Sequence, residues 1–218
     1  MTDLNLTDRL DRIEQFENEL IRNGTAIFGA TIFGARAGLS HADFFIIRAL
    51  RRTLAQAFDF RDSIKARSFP CAAATLRLQL DTAMQVNALS FVNDPDVVCK
   101  AVLDGEQFNR LKDRDGNELS DVHIRKKLAE EHPWISSVYE RTSDFIHLSG
   151  RHFDISITRT DDETRIAYFQ ISGHDPSRSE ETYFEAVDRF FEATKLAGTL
   201  ILAFWMARHR TVSQGIRT

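Results

Sequence analysis

The residues best placed to do chemistry lie between Tyr139 and His152, in the run YERTSDFIHLSGRH. An imidazole can move a proton near neutral pH, a guanidinium can hold an anion, and a carboxylate can fix which imidazole nitrogen carries its proton. At about 100° per residue, a helix over this run puts Ile135, Val138, Thr142, Phe145 and Ile146 on one arc. Glu140, Ser143, Asp144, His147 and, if the helix persists, Arg151 fall opposite. Asp144 and His147 are three residues apart and His147 and Arg151 four apart, so each pair can touch. Such a face could orient His147 through Asp144 while Arg151 or Arg141 receives an anion. Arg141 lies about 120° around the wheel from His147, too far for a close pair on one helix. The same residues also suit a solvated helix face, on which each ion pair contributes only about 0.3 kcal/mol.

Other chemical signals are weaker. The run TAIFGATIFGARAGLS carries glycines at 29, 34 and 38 but lacks the Gly-Lys-Ser/Thr ending of a phosphate loop and follows no clear strand, so a flexible connection or a tightly packed helix is expected. Placing Gly116 of DRDGNE at position six of a calcium loop puts Leu111 and Val122 where oxygen ligands are required, which excludes that site. His123, His132, His147, His152 and His174 have no compact metal spacing and Cys71 and Cys99 do not complete one, so neither metal nor cofactor is expected. Trp134 and Tyr139 could stack on bases, or serve as core or interface aromatics. Arg125, Lys126 and Lys127 form a short basic patch that Glu130 and Glu131 make a solvated face.

Elements that could position these residues follow from periodicity. A first helix is expected from about Thr7, as cap, to Arg22, with Leu10, Ile13, Phe16 (or Glu17) and Leu20 in register and Asn23-Gly24 ending it. Ser40 and Asp43 form a capping arrangement for a long helix to about residue 67, with Phe44, Ile47, Leu50 (or Arg51), Leu54, Phe58 and Ile64 as its apolar stripe. Phe69-Pro70 is read as its break. A second long helix over about 72–92 packs against it antiparallel. Next come a short helix in DPDVVCKAVLDG, a polar turn region, a helix capped by Ser120 or Asp121, and a helix from Pro133 to about Gly150. FDISITRTDDETRIAYFQISG then changes to a strand-like period and predicts a β-hairpin near 153–171, and a long helix from about Ser179 to His209 closes the fold.

The expected architecture is therefore mainly α: a multi-helix bundle in one domain over 1–218, with an N-terminal extension at 1–38 and a hairpin insertion at 151–178. Composition agrees, since 43% hydrophobic and 28% charged residues suit a globular chain, and 17 phenylalanines against ten glycines and four prolines favour long elements. With 28 basic and 32 acidic groups the chain offers no broad positive field to a polyanion. Two cysteines are too few for a disulfide framework, lie in segments that read as buried helix, and point to free thiols in a reducing compartment. The N-terminus lacks the basic-then-apolar pattern of an export signal, so a cytoplasmic location is expected. The most apolar run, LAGTLILAFWMA, is twelve residues against the roughly twenty of a spanning helix, which favours a core helix and no membrane partner.

Paired long helices followed by Arg141, TSDFI and His147 resemble the HEPN superfamily of helical-bundle proteins, whose ribonuclease members carry an arginine, four to six residues and a histidine. The runs RLQLDTAMQVNAL, KDRDGNELSD and PWISSVYERTSDFIHLS are similar to uncharacterised bacterial members, over roughly Pro70 to Gly150. The Arg/His spacing itself also occurs at Arg36/His41 and Arg125/His132, so context rather than spacing marks the third. The resemblance implies a homodimer in which Arg141 of one chain meets His147 of the other. Its implied chemistry is metal-independent RNA cleavage, with His147 transferring a proton and Arg141 holding the phosphoryl oxygens. Tyr139, Ser143, Asp144 and Arg151 are the candidate substrate-binding residues beside them. The other function expected of this face is that of a noncatalytic helical binding or regulatory protein with a macromolecular partner.

Overall fold

A computed structural model of the chain describes residues 4–34, 38–147, 157–175 and 178–214. Among these are seven α-helices and one two-stranded hairpin: α1 Leu6–Gly34, α2 His41–Lys65, α3 Phe69–Ala88, α4 Pro95–Leu103, α5 Asp121–Ala129, α6 Trp134–Ser143, β1 Ile157–Asp161, β2 Ile166–Phe169 and α7 Glu180–Gln214. The mainly α bundle with a small hairpin is thus the observed architecture.

α3 is the central element, buried on several faces and packed most extensively against α7 and α2. α1 lies along α7 and α2, α4 along α2, and the short α5 and α6 cover the other side of α3. Phe60 of α2 and Phe190 of α7 stack face to face, with centroids 3.8 Å apart and planes at 6°, both fully buried. A second aromatic contact, Phe28 with Trp205 at 4.1 Å, ties the far end of α1 to α7.

Several boundaries depart from expectation for physical reasons. Asn5 rather than Thr7 caps α1, its side chain accepting from the Asp8 amide at 2.9 Å. Asn23-Gly24 does not end the helix. Gly24 instead lets α1 pass close to α2, since a Cβ there would stand 2.9 Å from Leu50 Cδ2. The glycine-bearing run after it continues as helix to Gly34. The capping box of Ser40 and Asp43 forms as expected. Phe69-Pro70 starts α3 rather than merely ending α2, because proline is accepted in a first turn. Between the two helices Arg67 adopts φ 54, unusual for a residue with a Cβ. Its carbonyl is used twice, by the Asp175 amide at 2.9 Å and the Tyr183 hydroxyl at 3.1 Å.

The buried stripe of α2 is rotated from the one expected: Ala42, Ile46, Ala49, Leu50, Thr53, Ala57, Phe60 and Ile64 face inward. Phe44 and Phe58 are exposed. Alanines share this inner face with Ile46, Phe60 and Ile64, so large apolar side chains alone do not mark it. Arg61 is buried on this face, and its Nε and Nη2 clamp both oxygens of buried Glu17 at 3.1 and 3.0 Å. Burial raises the Glu17 carboxyl above its ordinary range, with the Arg61 contacts opposing.

The hairpin is antiparallel, pairing Ile157 with Phe169 and Asp161 with Ile166, with an irregularity between Ile157 and Arg159. Asp161 accepts from the Glu163 and Thr164 amides at the turn, both at 3.1 Å. α7 is long and apolar enough to cross a membrane by length and composition, but its inner face of Tyr183, Val187, Phe190, Ala193, Ala197, Ile201 and Trp205 belongs to the core of the bundle. Cys99 is buried, and burial together with the charge of Asp43 pushes its thiol up to about 12, whereas Cys71, expected inside, is exposed.

Candidate functional site

α6 ends at Ser143, and residues 144–146 are turn. The amides of Phe145 and Ile146 donate to the carbonyls of Thr142 and Ser143, three residues back. The helix expected to reach Gly150 thus gives way to turn after Ser143. The Thr142 and Ser143 hydroxyls donate to the carbonyls of Val138 and Tyr139, both at 2.7 Å. Arg151 and His152 lie outside the described residues.

His147 is exposed beyond this turn, Asp144 and Ser143 are half-buried, and Arg141 is exposed. Arg141 reaches away along α7, where its two terminal nitrogens donate to the two oxygens of Glu185 at 2.7 and 3.1 Å. That fork lowers the Glu185 carboxyl and raises the Arg141 guanidinium from their ordinary values. Ile146, placed on the apolar arc by the wheel, is exposed, whereas Phe145 packs edge-on against Phe69 at 5.7 Å.

Tyr139 serves the scaffold. Its hydroxyl donates to Asp121 Oδ2 at 3.0 Å, and the guanidinium groups of Arg77 and Arg125 lie 3.4 and 4.7 Å from the ring centroid. Burial first, then the charge of Asp121, pushes the phenol up to about 12, with Arg77 opposing. Arg77 is the hub: a buried arginine paired with Asp81, 3.5 Å from Asp121, and donating from Nε to Ser143 Oγ at 3.3 Å. Burial raises the Asp81 carboxyl even though Arg77 opposes it. Arg77 thus ties the start of α5 and the end of α6 to α3. Arg125 also pairs with Glu140 at 3.4 Å, while Lys126 and Lys127 are exposed, as a solvated face requires.

Three helical stripes converge on a cleft of about 120 Å³ beside Arg141. α3 supplies Phe69, Ala73 and Leu76, α6 supplies Val138, Arg141 and Thr142, and α7 supplies Thr182, Glu185, Ala186 and Arg189, each at spacings of three and four residues. Ala73 and Ala186 are small, which leaves the floor open. Arg178, stacked 3.9 Å over Phe69 and 3.6 Å from Asp175, joins the rim. The lining carries three guanidinium groups and one carboxylate over an apolar floor, which suits an anion attached to an apolar group. His147 does not line it.

Glu185, Arg189, Arg178 and Arg77 were not found from sequence. Arg77 and Asp81 had a signal, opposite charges four residues apart inside an otherwise uncharged helix. Glu185 and Arg189 had the same spacing, but only the approach of α6 to α7 gives it meaning. No metal-competent cluster of His, Cys, Asp and Glu occurs among the described residues. Comparison with protein families, curated proteins and solved structures found no match.

Proposed function

We propose that the protein is a noncatalytic helical binding module whose cleft between α3, α6 and α7 takes up an acidic segment of another protein. An apolar side chain of that segment enters between Ala73 and Ala186, and its carboxylates compete with Glu185 for Arg141 and Arg189. The observation that carries this reading is the Arg141–Glu185 fork at the edge of a cleft lined by three arginines. An exposed fork of this kind contributes only about 0.2–1 kcal/mol, so an incoming carboxylate can replace Glu185 at small cost. At about 120 Å³ the cleft is below the roughly 300 Å³ of a drug-sized pocket and matches a single apolar anchor.

The test is an amide-resolved NMR titration with a panel of short peptides carrying one leucine, isoleucine or phenylalanine between glutamates. Shifts gathered at Ala73, Val138, Thr142 and Ala186, weakened by salt and lost in Arg141→Ala/Arg189→Ala, support the reading. Absent or scattered shifts across the panel overturn it.

Dimeric RNA cleavage is the second reading, favoured by the exposure of both Arg141 and His147, which leaves each accessible to another copy of the chain. It requires Arg141 to leave Glu185. RNA cleavage in chelator that disappears in His147→Ala would establish it over the binding module.

A further inference from the structure

A second groove, of about 200 Å³, lies between α2, α3 and the end of α4, away from the cleft just described. Its cationic side is Arg48 and Arg52, four residues apart on α2 and therefore neighbours on one edge of that helix. No carboxylate lines it. Asp81, the acid whose charge Arg52 senses, is already paired with Arg77. Among the described residues Arg48 has no ion-pair partner.

Arg52 is also held in place from inside. Its Nε donates to Thr82 Oγ1 at 3.0 Å, and that buried hydroxyl is fixed by the Leu78 carbonyl at 3.1 Å and by buried Gln56 Oε1 at 3.3 Å. Two buried polar side chains are thus committed to fixing one exposed arginine. With Nε engaged, the terminal nitrogens of Arg52 remain for an anion beside Arg48. Val86, Val102 and Leu103 supply an apolar floor, and Gln85 adds an amide at the edge.

We propose that this groove binds a phosphate monoester carried on a small apolar or aromatic group. Paired guanidinium forks favour an acceptor with several charged oxygens over a single carboxylate. The apolar floor favours an ester over free phosphate, and the groove volume limits the stem to about one ring.

The experiment titrates the full-length chain at low ionic strength with phenyl phosphate, inorganic phosphate and benzoate, following the amides of Ala49, Thr82, Val86 and Leu103. Phenyl phosphate is expected to bind most tightly, with Kd on the order of 1 mM for a ligand of this size. Arg48→Ala and Arg52→Ala should each weaken it about tenfold while an otherwise unchanged amide spectrum shows the fold kept, a loss typical of one charge-assisted contact. Free phosphate binding as tightly as the ester would overturn the apolar part of the proposal, and benzoate matching phenyl phosphate would overturn the phosphate part. No shift at these amides, or shifts unaffected by either variant, would overturn the site. These reporters are separate from those of the α3/α6/α7 cleft, so either site can fail alone.

Discussion

Replacing Arg77 with methionine removes the group that joins α3 to the ends of α5 and α6. Arg77 is 7% exposed, and its main partner Asp81 is half-buried, with a carboxyl already raised by burial. Losing one member of a buried pair costs about 3–5 kcal/mol, because the remaining charge is left in a poor solvent. Asp81 retains some contact with water, and Asp121 is exposed and loses little, so the lower end, about 3 kcal/mol, is the expected cost of Arg77→Met. In a chain of this length that corresponds to a fall in Tm of roughly 6–12 °C. Urea unfolding followed by circular dichroism should show a lower midpoint at unchanged slope.

The pH dependence is specific. A carboxyl whose folded pKa lies above its unfolded value of 3.8 favours the folded state below that value and loses the advantage as pH rises through the folded pKa. Without Arg77 this disadvantage grows, so the variant should be closer to wild type near pH 4 than at pH 8. Arg77→Met/Asp81→Leu should recover more than half of the loss. A cost under about 1 kcal/mol, or a double variant no better than the single one, would refute the reading of Arg77 as a buried, charge-compensated hub.

Phe60→Ala should cost about 3–5 kcal/mol in the same assay, since it opens a cavity against Phe190 at the centre of the α2–α7 contact. Gly198→Val should cost about 1–3 kcal/mol, because even a Cβ at that position stands 3.1 Å from Leu20 Cδ1 where α1 meets α7. Asp113 organises the turn before α5, accepting from the amides of Asp115 and Asn117 at 2.9 and 2.8 Å and contacting His123 Nε2 at 2.8 Å. Burial alone would raise its carboxyl, but these contacts and the Asn117 side chain outweigh it and hold the group at about 2. The stability it supplies is present above its unfolded value of 3.8 and disappears as pH falls through about 2. Asp113→Asn should therefore be destabilised at pH 7 and converge on wild type near pH 2 in a pH series of urea midpoints.

The bundle was legible because long amphipathic stretches and caps are local signals: Ser40 with Asp43, and Ser120 before α5, act as their types predict. The hairpin was legible from its change of period around the Asp161 turn. Less legible was which face of each helix turns inward. α2 buries Thr53, Gln56 and Arg61 beside Ile46, Phe60 and Ile64 while Phe44 and Phe58 face outward, so hydrophobicity alone does not single out its inner face. The end of α6 at Ser143 was missed because no glycine or proline marks it in the run ERTSDFIHLS. Of the site, Arg141 could be singled out from its own run, but its partner Glu185 is 44 residues away and joins it only through the packing of α6 on α7.

Whether the Arg141 cleft is a binding site is decided most directly by the amide-resolved titration with acidic peptides bearing one apolar residue. Binding in the cleft predicts shifts centred on Ala73, Thr142 and Ala186 that disappear in Arg141→Ala/Arg189→Ala, with no RNA cleavage in chelator. An unshifted cleft alongside RNA cleavage that is abolished by His147→Ala would contradict it.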